Sequence, residues 1–149
     1  MGFLFVGRGS DAQRLRDDAR ARGLDNVVFR DEIHPDEIPN LYAQCHIGLV
    51  ALDPRHRTHN IPGKFLTYMQ SGLPVLASVN AGNDLVGLIE QERVGRAVTD
   101  ASAESLARAA VELVDAVSSD DGFAKRCKAL SARLFSAETA VRQIVSALA

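Results

Sequence analysis

Residues 60–77 combine the residue types best suited to bind an anion. Pro62 is typical of the first turn of a helix, and Gly63 allows a backbone to approach a ligand closely. The unpaired N–H groups of such a turn carry partial positive charge, and Lys64 adds an ammonium group. Gly72 would end this helix, and an apolar strand would follow. The pattern indicates either an anion site or an ordinary helix–strand unit.

A second glycine-rich turn lies near the start of the chain. Gly7, Gly9 and Ala12 match the pattern G-x-G-x-x-A directly after an apolar run. Asp31 follows the next predicted strand, where an acid that binds ribose would fall. This turn indicates either the NAD-binding site of an oxidoreductase or a structural turn alone.

Histidine and cysteine spacing favours no metal site. The four histidines form no H-x-x-x-H pair, and Cys45 and Cys127 lack the spacing of zinc ligands. No G-x-S-x-G motif marks a nucleophile. We therefore expect no bound metal, and reduced thiols in a cytoplasmic protein.

Alternating strands and helices must position these residues. Strands are predicted at 3–6, 26–30, 47–51, 74–78 and 94–98, with helices between them and a purely helical run from residue 100 onward. This order predicts an α/β fold with a doubly wound, Rossmann-like parallel sheet and helices on both faces. We expect Phe3–Val6 to be a buried strand, followed by a helix with a capping box formed by Ser10 and Gln13.

The helix predicted at 63–71 has two faces. One buries apolar side chains, namely Phe65, Leu66, Met69 and Leu73. The other carries polar side chains, namely Lys64, Thr67, Tyr68 and Ser71.

Composition indicates a single globular domain over residues 1–149. The chain is 46% hydrophobic and 24% charged, which is typical of a domain with a full core. Its net charge of -2 gives no electrostatic footprint for nucleic acid. No apolar run reaches transmembrane length.

Six segments follow one another in the order found in a known enzyme family. They lie at residues 5–11, 26–31, 36–49, 69–77, 94–98 and 135–139. The most specific, Met69–Ala77, is similar to M-A-x-G-x-P-V-V-A. The whole chain thereby resembles the C-terminal, donor-binding half of a retaining GT-B glycosyltransferase of the glycosyl transferases group one family.

The resemblance implies transfer of a sugar from a nucleoside diphosphate sugar to an acceptor, with no further cofactor. It implies Lys64 and His59 as catalytic residues. The donor-binding residues that it implies are Gly7, Gly9, Arg30, Asn60, Gly63 and Thr67.

Two glutamates that the family usually carries, in the pattern E-x7-E, are absent. Their positions fall at His59 and Thr67. In relatives the first contacts the sugar or the reacting centre, and the second binds the nucleotide ribose. A branch that reads P-S-K-x-x-x-Y-M-A-x-G-x-P-V fits better, and it places Pro62, Gly63, Lys64, Tyr68 and Met69 on its pattern. Because that branch builds bacterial surface polysaccharides, we expect a role in polysaccharide or lipopolysaccharide biosynthesis.

The family also implies protein partners. Relatives have a further strand and helix before the unit that begins at Phe3, and a separate acceptor domain. We therefore expect a fragment or shortened form of a longer enzyme, inactive alone, whose full-length form is cytoplasmic or associates peripherally with the inner face of the membrane. Strand edges beside Phe3–Val6 and Ile47–Ala51 would be exposed, so these strands should pair with each other or form a homodimer.

Two alternatives stay open. The first is a NAD-binding Rossmann domain that uses Gly7, Gly9, Ala12 and Asp31. The second is a non-catalytic interaction module, which would bind no nucleotide.

Overall fold

A computed structural model describes residues 1–53, 55 and 61–148 of the chain. These residues form two compact units, Met1–Asn40 and Leu41–Ala149. The expectation of a single domain over residues 1–149 stays a prediction.

The first unit is a small strand–helix–strand arrangement. Strand β1 (Phe3–Val6) pairs in parallel with β2 (Val27–Arg30), and helix α1 (Ala12–Ala21) connects them. The chain then forms a 3-10 turn (Pro35–Glu37) that continues into α2 (Ile38–Tyr42). Both strands therefore lie where the apolar runs predict them.

Strand β1 is exposed, and the prediction of a buried strand is wrong. Phe3, Leu4 and Phe5 are all more than a third exposed. Within this unit the strand has one neighbouring strand to pair with, and two paired strands bury little surface. The stacking of Phe5 on Phe29, with ring centroids 5.2 Å apart, is the main aromatic contact of this sheet.

The start of α1 also differs from the prediction. The helix begins at Ala12 with Asp11 in the capping position, and no side chain caps it. Because the helix starts one residue later than a Ser10 cap requires, Gln13 is not at the third helical position. Its Nε2 donates instead to the Asp17 carboxylate at 3.0 Å. The predicted capping box is therefore wrong.

The second unit contains a three-stranded parallel sheet. Its strands are β3 (Gly48–Ala51), β4 (Val75–Ser78) and β5 (Gly95–Val98), in the spatial order β3-β4-β5. Gly48 lies opposite Val75 in the register of the first pair. Parallel pairing confirms the α/β prediction for this unit.

Five further helices lie in the described part of the second unit. They are α3 (Gly63–Ser71), α4 (Asp84–Glu92), α5 (Ala103–Ser119), α6 (Phe123–Leu134) and α7 (Ala137–Leu148). The predicted bounds of α3 are confirmed. Ser136 caps the start of α7, since its hydroxyl oxygen accepts the Thr139 N–H at 3.1 Å.

Helices cover both faces of this sheet. Successive side chains of a strand point to opposite faces, so Val75 and Ala77 enter one core and Leu76 enters the other. The first, which we call the α3-side core, also contains Phe65, Met69, Leu85, Ile89, Cys127 and Leu130. The second, the α5-side core, also contains Ala109, Ala110, Leu113 and Phe123. The parallel sheet flanked by helices is therefore confirmed.

The described strands form two separate sheets. Strand β1 pairs with β2, and strand β4 pairs with both β3 and β5. That β1 and β3 pair with each other or form a homodimer stays a prediction. Across the same residues, no helix is both long and apolar enough to cross a membrane.

Candidate functional site

The N-terminus of α3 has the geometry of an anion site. Pro62 occupies the capping position with extended backbone, φ -62° and ψ 138°. The Phe65 N–H donates to the Pro62 carbonyl at 2.9 Å, whereas the N–H groups of Gly63 and Lys64 precede the first intrahelical bonds. Gly63 and Lys64 are both exposed, and the first turn has no acidic side chain. The positive end of this helix is therefore accessible to a ligand.

Thr67 lies on the exposed side of α3, one turn beyond this end. Its hydroxyl donates to the Lys64 carbonyl at 2.9 Å. The hydroxyl hydrogen is thereby used within the helix, while the oxygen keeps acceptor capacity. Thr67 is consequently suited to accept a hydrogen bond from a hydroxyl group of a ligand.

Tyr68 is buried, contrary to its predicted place on the polar face. Its side chain belongs to the α3-side core, and the residue is 9% exposed. A Cβ atom placed on Gly48 would lie 2.6 Å from the Tyr68 ring, so the missing side chain of Gly48 makes room for this ring. The Tyr68 hydroxyl donates to the Leu49 carbonyl at 3.4 Å. Neighbouring elements cover α3 on two sides, whereas the helical period of its sequence predicted one buried face.

We expect Tyr68 to ionise only at strongly alkaline pH. Burial raises the pKa of Tyr68 from 10.0 to about 12, with smaller contributions from Tyr42 and Cys45. The folded-state pKa lies above the unfolded value, so this group's contribution to stability is complete below pH 10 and is lost as pH rises toward 12. Absorbance titration near the tyrosinate band measures this. If the ionisation step near pH 12 is absent in Tyr68→Phe, that step belongs to Tyr68. A step near pH 12 that survives in the variant would contradict the assignment.

The other end of α3 is fixed by close packing. Gly72 ends the helix in the left-handed conformation, φ 77°, which confirms the predicted stop. A Cβ atom at Gly72 would lie 3.3 Å from the Ala124 carbonyl oxygen, so α3 and α6 approach closely here. Phe65 and Met69 are fully buried in the α3-side core. The helix that carries Lys64 and Thr67 is therefore anchored along its length.

An open depression of about 680 Å³ lies in the same unit, where strands β4 and β5 end. Its lining includes the loop before α4, with Gly82, Asn83 and Asp84, together with Thr99 and Ile61. The Asn83 side chain accepts the Leu85 N–H at 2.9 Å and so caps α4. Sequence reasoning missed this feature, although Gly82-Asn83-Asp84 after an apolar strand is a cap signal at the carboxyl end of a parallel sheet.

The predicted residues of the first unit meet at the ends of β1 and β2. The Gly7 N–H donates to the Arg30 carbonyl at 3.2 Å, and the Ala12 N–H donates to the Gly9 carbonyl at 3.2 Å. Gly7 has φ 141°, a conformation that favours glycine. The turn therefore brings the backbones of Gly7 and Arg30 together. A Cβ atom placed on Gly7 or on Gly9 would meet no atom within 4 Å, so the space beside both glycines is open.

The acid of the NAD hypothesis has a cationic neighbour. The Asp31 carboxylate is 98% exposed and lies 3.6 Å from the Arg16 guanidinium. Nearby, Arg8 pairs with Glu32 at 3.0 Å. Exposed pairs of this kind are weak, so a ribose hydroxyl could compete for Asp31.

Two of the predicted site residues, His59 and Asn60, lie outside the described residues. The described ones fall in two sets: Gly63, Lys64 and Thr67 share one helix, and Gly7, Gly9 and Arg30 share the β1–β2 sheet. In residues 1–53, 55 and 61–148, no group of three or more His, Cys, Asp or Glu side chains could hold a metal ion.

Comparison with known proteins identifies a family. A family model described as glycosyl transferases group 1 matches residues 1–116. The matched span runs from before β1 into α5 and includes α3 and the Gly7 turn. A comparison with curated proteins finds no match.

Proposed function

This chain belongs to the glycosyl transferases group 1 family, and we propose that it is the donor-binding half of an enzyme that uses nucleoside diphosphate sugars. The family supports a function in glycosyl transfer. The observation that carries the finer proposal is the N-terminus of α3, where the exposed residues Gly63 and Lys64 offer backbone N–H groups and an ammonium group to a diphosphate.

The proposed chemistry places stabilising groups where charge develops. As the bond between sugar and diphosphate breaks, the leaving diphosphate gains negative charge. Donors that are held in advance near this charge lower the barrier. The Gly63 and Lys64 N–H groups and the Lys64 ammonium group would supply such donors, with His59 near the sugar or a phosphate.

The remaining residues would hold the nucleotide. Thr67 would accept a hydrogen bond from a ribose hydroxyl, because its oxygen keeps acceptor capacity while its hydrogen bonds the Lys64 carbonyl. The family resemblance implies that Gly7, Gly9 and Arg30 meet the donor through their backbones and that Asn60 contacts it as well.

The wider assignment rests on the sequence resemblance. We propose transfer with retention at the anomeric carbon, in bacterial surface polysaccharide or lipopolysaccharide biosynthesis, with an acceptor domain in the same polypeptide. The chain alone would bind its donor weakly and transfer nothing, because an acceptor domain supplies the other wall of the cleft. Peripheral membrane association and a homodimer are part of the same proposal.

Calorimetric titration of this chain with UDP, GDP and NAD tests the proposal. We expect heat of binding with UDP or GDP and none with NAD, because the α3 terminus is suited to a terminal diphosphate. Binding of NAD without UDP or GDP would overturn the proposal in favour of an oxidoreductase domain. Absence of binding by all three at millimolar concentration would favour an interaction module.

A further inference from the structure

The contact between Tyr68 and Gly48 is a close approach of α3 to strand β3. A Cβ atom on Gly48 would lie 2.6 Å, 2.7 Å and 2.7 Å from three atoms of the Tyr68 ring. Three nearly equal distances mean that the ring rests with its face on the Gly48 backbone. Gly48 itself is held in the sheet, because its N–H donates to the Pro74 carbonyl at 2.8 Å.

Two further contacts keep the ring in this position. The Tyr42 ring lies against it, with centroids 5.0 Å apart and planes inclined by 59°. The Tyr68 hydroxyl reaches the Leu49 carbonyl on the same strand. The ring is therefore enclosed by β3 on one side and by Tyr42 on another.

The site residues of α3 lie on the same helix as this ring, so their positions depend on where the ring lies. Lys64 lies four residues, about 6 Å along the helix axis, before Tyr68. Thr67 is adjacent to Tyr68 and bonds the Lys64 carbonyl, which ties the first turn to the ring-bearing turn. A displacement of α3 from β3 at Tyr68 would therefore displace both site residues.

We infer that Tyr68 is a positioning residue, whose ring, seated on Gly48, sets where the α3 N-terminus presents Lys64 and Thr67 to a nucleoside diphosphate. The inference rests on the proposed function for the identity of the ligand. A methyl group on Gly48 would need about 1 Å more space to reach an ordinary contact distance from the ring. A misplacement of about 1 Å at a site can cost on the order of 100-fold in rate.

A double-mutant cycle tests the inference in the chain as it stands. The variants are Gly48→Ala, Tyr68→Leu and their combination, with Tyr68→Phe as the conservative variant. Two quantities are measured: the amide chemical shifts of Gly63–Thr67 without ligand, and the Kd for UDP or GDP. Leu113→Ala, in the α5-side core, controls for lost stability alone.

We expect Gly48→Ala to move the amide signals of Gly63–Thr67 and to weaken nucleotide binding roughly 10-fold or more in the presence of the tyrosine. In the Tyr68→Leu background the same change should affect neither quantity. Tyr68→Phe should bind within about twofold of the wild type, because it keeps the ring contacts with Gly48 and Tyr42 and loses only the long 3.4 Å contact with the Leu49 carbonyl. Leu113→Ala should lower the melting temperature and leave the Kd unchanged.

Equal effects of Gly48→Ala in both backgrounds would overturn the inference. If Gly48→Ala does not fold, folding of the double variant would support it, and failure of both variants would overturn it. Gly48→Ala could shift the amide signals of Gly63–Thr67 only when Tyr68 is present, in a chain that binds neither UDP nor GDP. That result would support the positioning role and count against the proposed function. The two ideas can therefore fail separately.

Discussion

Lys64→Ala is expected to lower the turnover of the full-length enzyme at least ~10-fold, because it removes one cation that would stabilise the leaving diphosphate. Lys64 is exposed at the N-terminus of α3, where the charge of its ammonium group adds to the partial positive charge of the N–H groups. The measurement is steady-state glycosyl transfer, together with the affinity of this chain for UDP and GDP. The affinity should also become less sensitive to salt, since one charge contact is lost.

The matched control is Lys125→Ala. Lys125 is exposed on α6 and carries the same charge. Its loss changes the net charge equally without touching the α3 terminus. Equal effects of the two substitutions would point to net charge alone, and unchanged kinetics in Lys64→Ala would remove Lys64 from the site.

Phe65→Ala is expected to lower the free energy of unfolding by about 3–5 kcal/mol. Phe65 is 0% exposed in the α3-side core, and its ring meets that of Phe135 edge to face with centroids 6.1 Å apart. Removal of the ring would leave a cavity between α3 and the helices that cover it. Urea denaturation followed by circular dichroism measures the change, and with a stability of about 5–15 kcal/mol the loss would be a large fraction of the total.

The control for this prediction is Val141→Ala on α7. Val141 is 60% exposed, so the same kind of truncation there should change stability by no more than about 0.5 kcal/mol. A loss in Phe65→Ala as small as that of the control would contradict the packing described for α3.

Local signals predicted the elements well. The bounds of α3 follow from Pro62-Gly63 at one end and Gly72 at the other, and the structure has the same bounds. Strand β1 likewise agrees with its predicted range. Such signals act over a few residues, through backbone conformation and unpaired N–H or carbonyl groups, so a single sequence contains them in full.

Burial was predicted less well. Phe3–Val6 is apolar throughout, yet it is exposed, because burial depends on what other segments provide. The prediction of a capping box was wrong because α1 begins one residue later than a Ser10 cap requires. The depression beside Asn83 was missed because it arises where several segments meet, including Ile61, Thr99 and Leu134.

The sequence by itself determined the order of strands and helices, the family resemblance and the candidate anion site at Gly63 and Lys64. Tertiary structure decided which faces of α3 are available to a ligand. Lys64 and Thr67 remain exposed, while Tyr68 is buried because Gly48, 20 residues away, has no side chain to exclude its ring. A helical period describes one helix alone, whereas the burial of each side chain is set by partners that are distant along the chain.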